Sequence, residues 1–233
     1  MLTSYFHSLL TNKSIHRRLI TLSIMLLACY ISLWRIEALP SAIHSDEAVE
    51  GIDAAKILYQ GARPIFLEEN NGRQPLFAYM VAVMLWLFGP TPPAIRLVAG
   101  IAVIGIVYGA IKTADTIFGP RIGWLTGLIA ATTILTIRIG RLSTRVSIFP
   151  MFLNLAVWQV AVAIKTGRLR HWIVAGVLLG VTHYTYLPSL LVPVAIIAIF
   201  ALGLVFRFSQ TIRHWRGILA CNILMLIIAE TVA

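Results

Sequence analysis

The sequence predicts an all-α integral membrane protein: a bundle of about seven transmembrane helices with short interfacial helices between the first and second spans. Three observations carry this expectation. Hydrophobic residues make up 59% of the 233-residue chain and charged residues 12%, whereas an ordinary soluble domain is about 25% charged. The mean hydropathy of +0.86 is spread over repeated apolar runs. Seven of the nine carboxylates (Glu37, Asp46, Glu47, Glu50, Asp53, Glu68 and Glu69) crowd into one polar island, leaving only Asp115 and Glu230 elsewhere.

The runs fall at 19–33, 75–88, 94–111, 124–137, 148–164, 172–187, 190–206 and 218 to the C-terminus, and a span needs about 20 residues. The run at 75–88 is the shortest, opened by Pro75 and closed by Gly89-Pro90, so it is read as interfacial. Residues 1–18 are basic and lead into an apolar run with no small-residue cleavage signal, which predicts a retained anchor. Lys13, Arg17 and Arg18 precede the first span and place the N-terminus in the cytoplasm. With the 75–88 helix not crossing, Lys112, Arg121, Lys165, Arg168, Arg170, Arg207, Arg213 and Arg216 fall inside as well, and the loop 37–90 lies on the outer face of a plasma membrane. The formal charge of +10 is then topology and anionic lipid, not nucleic acid. Cys29 and Cys221 sit in apolar runs, where they indicate neither a disulfide framework nor a metal site.

Inside the island, 46–60 reads as a short amphipathic helix capped by Ser45, with Asp46 and Glu47 at its positive end and Gly61 ending it. Asp46, Glu50 and Asp53 share one face at helical spacing, with Ile43, Val49, Ile52, Ile57 and Leu58 toward lipid or the first span. Glu68-Glu69-Asn70-Asn71-Gly72-Arg73 is turn chemistry leading to Pro75. Asp46 and Glu47 are the catalytic candidates, since a carboxylate near the headgroups is placed to deprotonate an acceptor attacking a lipid-linked sugar. Plain helix-terminal acids are the alternative reading.

Arg138, Arg141 and Arg145 would share a face if their helix continues, forming a clamp for a leaving phosphate, with snorkelling to headgroups as the alternative. Arg73 either joins that clamp or pairs with Glu69. Glu50, Glu69, His183, Tyr184 and Tyr186 are candidates for a substrate pocket, the aromatic residues also fitting an interfacial belt. No cofactor is expected. Asp46, Glu50 and Asp53 offer hard oxygens for a divalent cation, but no His/Cys cluster marks a transition-metal site.

The ordered set His44-Ser45-Asp46-Glu47-Ala48, Gln74-Pro75-Leu76, Phe88-Gly89, Ala94-Ile95-Arg96-Leu97, Phe118-Gly119, Arg138-Ile139-Gly140-Arg141, Gly176-Val177-Leu178-Leu179-Gly180 and Tyr184-Thr185-Tyr186-Leu187 resembles the protein mannosyltransferase and aminoarabinose transferase group, glycosyltransferase family 39, of the GT-C fold. The resemblance implies an inverting glycosyltransferase that moves a sugar from a polyprenyl-phosphate donor to a protein, lipid or glycan acceptor on the outer face. By similarity Asp46 matches the proposed base and Glu47 the neighbour that positions it. Two departures stand out. Arg73-Gln74-Pro75 replaces a Lys-Pro-Pro, and Arg145 lies near the place of an aspartate. Members of the group continue through further spans, so this chain is expected to be the N-terminal part of a larger enzyme. Two other readings remain. A transporter would place coupling acids at mid-membrane in broken helices, where only Asp115 lies between spans, and an inactive fragment would act as an assembly partner.

Overall fold

The computed structural model describes residues 13–67 and 72–230, and these are helical nearly throughout. In chain order the helices are α1 (Lys13–Leu33), α2 (Ser45–Gln60), α3 (Leu76–Phe88), α4 (Pro92–Phe118), α5 (Pro120–Thr132), α6 (Ile134–Arg141), α7 (Ile148–Thr166), α8 (Leu169–Thr182), α9 (Val192–Phe206), α10 (Phe208–Arg213) and α11 (Trp215–Glu230). Short 3-10 turns at Arg145–Ser147 and Leu187–Leu191 lead into α7 and α9.

Four segments, Ser14–Leu33, Pro92–Phe118, Arg145–Thr166 and Leu187–Phe206, are long and apolar enough to cross a membrane. The α5/α6 pair makes a fifth if its 54° bend belongs to one broken span. The remaining two expected crossings correspond to α8 and α11, which run 14 and 16 residues, short of the usual 20 or so. The expected run at 172–187 is cut because the helix stops at Thr182 and the chain turns before Pro188. Side chains such as Val205 (75% exposed), Phe206 and Trp86 stand out from the bundle. Such wide apolar exposure is tolerable only against lipid.

α4 is the central post. It packs against α5, α7, α1 and α3, burying Val98, Ala99, Ala102, Val103 and Val107. The α8–α11 contact is close because α8 carries glycines at its seam: a Cβ at Gly176 would sit 2.5 Å from the Cys221 carbonyl oxygen. α3, at 13 residues, is about 20 Å long, too short for a hydrocarbon core of about 30 Å. Its buried face (Phe77, Val81, Leu85) joins the cluster formed with α2 and α4, and Trp86 and Phe88 face outward.

Contacts sort the helix termini into two ends. At one end Arg17, early in α1, pairs with Asp115, late in α4, and Lys165 at the close of α7 donates to the Thr116 carbonyl at 3.3 Å. His214, ahead of α11, lies 6.0 Å from the Trp172 ring at the start of α8. At the other end stand the close of α1, all of α2 and α3, the start of α4, the close of α6, the start of α7 and the close of α8, joined by the contacts described next.

Candidate functional site

The site begins with the local chemistry of α2. The helix runs Ser45–Gln60 and ends at Gly61, as expected, and Gly61 at φ 68° occupies the left-handed region where glycine has no Cβ penalty. Its N-cap is His44 and not Ser45. His44 Nδ1 accepts from the Asp46 N–H at 3.3 Å, and the Glu47 carboxylate accepts from the His44 N–H at 3.4 Å, closing a capping box. The acids then divide. Asp46 is exposed, its side chain 54% accessible and 4.0 Å from the His44 ring. Glu47, Glu50 and Asp53 turn into the bundle at 0%, 1% and 3% exposure, while Ile43 and Ile52 face outward. The single face expected for Asp46, Glu50 and Asp53 is thus split at the first turn. A buried carboxylate is sustainable only with partners, and the bundle supplies arginines.

Arg96, in the second turn of α4, meets Glu47 with Nε to Oε1 at 2.6 Å and an Nη to Oε2 at 3.4 Å. Its other donors reach the Ile36 and Ala42 carbonyls at 3.0 and 3.4 Å. This one guanidinium therefore fastens the connection after α1, the start of α2 and the start of α4. Arg73, 1% exposed, lies between Glu50 (3.3 Å) and Asp53 (2.5 Å), two acids of the island other than the Glu69 considered for it. Glu69 lies outside the described residues. Lys56 stands 3.7 Å from Asp53, and a cavity of about 250 Å³ opens beside Asp53, Lys56, Pro64 and Phe66.

The arginine row does not form. α6 stops at Arg141, Ser143 takes φ 45°, and Arg145 begins a separate 3-10 turn. The break is held by the buried Ser143 hydroxyl, which donates to the Ile95 carbonyl at 2.8 Å. Arg138 is exposed, and its side chain makes no hydrogen bond or ion pair among the described residues. Arg141 donates to the Trp34 and Ile31 carbonyls at 2.8 and 2.7 Å, satisfying the free end of α1. Arg145 reaches Glu50 at 3.2 Å with its side chain 22% accessible. An Arg141→Ala change is expected to lower stability by about 1–3 kcal/mol, because charged donors to the carbonyls that end α1 are lost. Thermal melts of detergent-solubilised protein check it.

Burial holds the Glu50 carboxyl above its ordinary value of 4.5, although Arg73 and Arg145 pull it down. Its Oε2 has no hydrogen-bond partner among the described residues. The folded state therefore binds the Glu50 proton more tightly than the unfolded chain does. The protein carries no penalty below pH 4.5, loses stability as pH rises toward the raised folded value, and stays at the lower level beyond it. Glu50→Gln is expected to flatten that segment of a stability-against-pH curve measured by thermal melts. An unchanged slope would assign the pH response to other groups.

The third candidate group arrives at the same end. The Leu76 N–H donates to the Tyr184 carbonyl at 3.2 Å, joining the start of α3 to the turn after α8. The side chains there are engaged inside the protein. His183 is buried with Nδ1 3.2 Å from the Leu179 carbonyl, the Tyr184 hydroxyl donates to the Ile228 carbonyl at 2.8 Å, and Tyr186 lies 6.5 Å from the Phe149 ring. No set of three His, Cys, Asp or Glu side chains suited to a metal ion occurs among the described residues. Glu50 and Asp53, two of the three oxygen donors considered for a divalent cation, are occupied by arginines.

Sequence reasoning passed over Arg96 as a site residue. The available signal was the one charged side chain within the apolar run at 94–111, which requires a partner.

Chemically, among the described residues the end holds two exposed carboxylates, Glu37 in the connection after α1 and Asp46 on a helix start, a buried carboxylate–guanidinium lattice under Asp46, and arginines that are either free (Arg138) or partly accessible (Arg145). A family model described as dolichyl-phosphate-mannose-protein mannosyltransferase matches residues 72–232, more than two thirds of the chain. The match includes Arg73, Arg96, Arg138, Arg141, Arg145, His183, Tyr184 and Tyr186, whereas the acids of α2 precede it. No curated protein matches the chain.

Proposed function

This chain belongs to the dolichyl-phosphate-mannose-protein mannosyltransferase family, and from that premise we propose that it transfers a sugar from a polyprenyl-phosphate donor to an acceptor hydroxyl or amine at the acidic end of the bundle. As a membrane glycosyltransferase of the GT-C type it needs three things there: a base for the acceptor, cations for the leaving phosphate, and a rigid seat for both. Asp46 is the base. It takes the acceptor proton as the acceptor attacks the anomeric carbon from the face opposite the phosphate, the bond from that carbon to the phosphate oxygen breaks, and the configuration inverts. Polyprenyl phosphate leaves with the bonding electrons, and Arg138 and Arg145 offset its growing charge. Glu47, Arg96, Glu50, Arg73 and Asp53 are the seat.

The observation that carries this reading is the ion pair between Arg145 and Glu50, which ties the acid helix and the arginine segment, 95 residues apart in sequence, to one end of the bundle. The positive-inside rule assigns the opposite end, with Arg17, Lys165, Arg168, Arg170, Arg213 and Arg216, to the cytoplasm, so the acidic end faces outward across the plasma membrane. Proteoliposomes carrying the full chain and a radiolabelled polyprenyl-phosphate hexose or pentose test the proposal. Label is expected to pass to added protein, lipid or glycan acceptors. No transfer from any such donor to any acceptor class, with correctly folded protein, overturns it.

A further inference from the structure

α9 stands away from its neighbours. Between it and α7, α8 and α11 lies an apolar cavity of about 530 Å³, within the range of about 300–1,000 Å³ typical of ligand pockets. Its walls include Phe149 and Ile164, fifteen residues apart on α7, so it extends about 22 Å along the bundle. That exceeds the roughly 15 Å of one leaflet, half of a hydrocarbon core of about 30 Å. The end toward the acidic site is walled by Phe149, Pro188 and Leu191 and offers no charge. The opposite end is marked by Arg207, Thr211 and His214. Arg207 is exposed, makes no side-chain hydrogen bond or ion pair among the described residues, and is the one lining residue with a permanent charge. Arg213 and Arg216 follow close by in sequence, flanking His214.

We infer that this cavity is a binding site for an anionic glycerophospholipid of the leaflet at the Arg207 end, one acyl chain lying between α7 and α9 and the headgroup phosphate on Arg207. The charge decides the occupant. A zwitterionic lipid gains little from a fixed cation, whereas an anionic headgroup near a membrane surface is favoured by about 1 kcal/mol per basic side chain. A donor lipid is disfavoured because its phosphate would sit at the end of the bundle remote from Asp46. The site does not rest on the transferase reading, and an inactive Asp46 variant retains it.

The test uses the full chain in nanodiscs of phosphatidylcholine containing phosphatidylglycerol, followed by extraction into mild detergent and native mass spectrometry of the retained lipid. One phosphatidylglycerol per chain is expected to survive extraction. Arg207→Glu, which reverses the charge, and Ala195→Phe, which fills the cavity from the exposed α9, are each expected to reduce it about tenfold or more, equivalent to ~1.4 kcal/mol. Arg207→Lys keeps it, and thermal melts show that the variants are folded. Retention of the two lipids in their bulk ratio, indifference to Arg207→Glu in folded protein, or displacement of phosphatidylglycerol by added polyprenyl phosphate overturns the assignment.

Discussion

Asp46→Asn is expected to reduce the rate of sugar transfer by about 10²–10⁴, the usual contribution of a positioned general base, while leaving the fold intact. The two halves of this expectation have separate structural reasons. Asp46 is exposed, and its carboxylate lies 4.0 Å from the His44 ring. Its backbone N–H donates to the His44 ring, and the capping box closes through Glu47, so an amide at position 46 leaves these contacts in place. The loss falls on kcat, because the proton moves only in the transition state, and KM for the donor changes little. A thousandfold effect corresponds to about 4 kcal/mol of transition-state stabilisation. Glu47→Gln behaves differently: it weakens a buried ion pair and lowers stability first. Initial rates with a polyprenyl-phosphate sugar, together with melting curves, separate the two. Turnover of the Asn variant within about tenfold of the native rate would remove Asp46 from the base role.

The contrast between Asp46 and Glu47 shows what a linear sequence conveys about such a site. The extent of α2 was legible because its signals are local: an acid-rich first turn, a helical spacing of apolar residues and a terminal glycine. The short α3 was legible through its bracketing by Pro75 and Gly89-Pro90. The direction in which the acids point was not. Beside a membrane the apolar face of a helix can turn to lipid, so the polar face is free to turn inward wherever arginines await it, and Arg73 and Arg96 reach α2 from 20 and 49 residues away. The arginine row failed for a related reason. Its spacing of three and four implied one continuous helix, but Ser143 breaks that helix through a hydrogen bond to Ile95, a tertiary contact that no local pattern announces. The apolar run at 124–137 likewise conceals the 54° bend between α5 and α6.

Arg96→Ala is expected to produce the largest loss of stability of any single substitution at this end, about 3–5 kcal/mol, the usual result of stripping the partner from a buried charge. Glu47 is wholly buried and, among the described residues, would keep only the His44 N–H at 3.4 Å against its charge, while the Ile36 and Ala42 carbonyls lose the donors that Arg96 now gives them. Arg96→Lys is no rescue, since one ammonium cannot reproduce a fork that serves a carboxylate and two carbonyls at once. Glu47→Leu combined with Arg96→Met removes both charges and is expected to recover much of the loss, as exchanges of buried ion pairs for apolar side chains often do. That recovery distinguishes an uncompensated charge from a cavity. The same double variant bears on catalysis: with α2 no longer tethered to α4 through polar groups, Asp46 is held less closely, and kcat falls even though the protein is folded. Equilibrium denaturation of the two single variants and the double variant completes the cycle. A single-variant loss of Arg96 below about 0.5 kcal/mol, the scale of an ordinary surface change, would show that Glu47 is not held as a buried anion, and with it the proposed seat for Asp46 would fall.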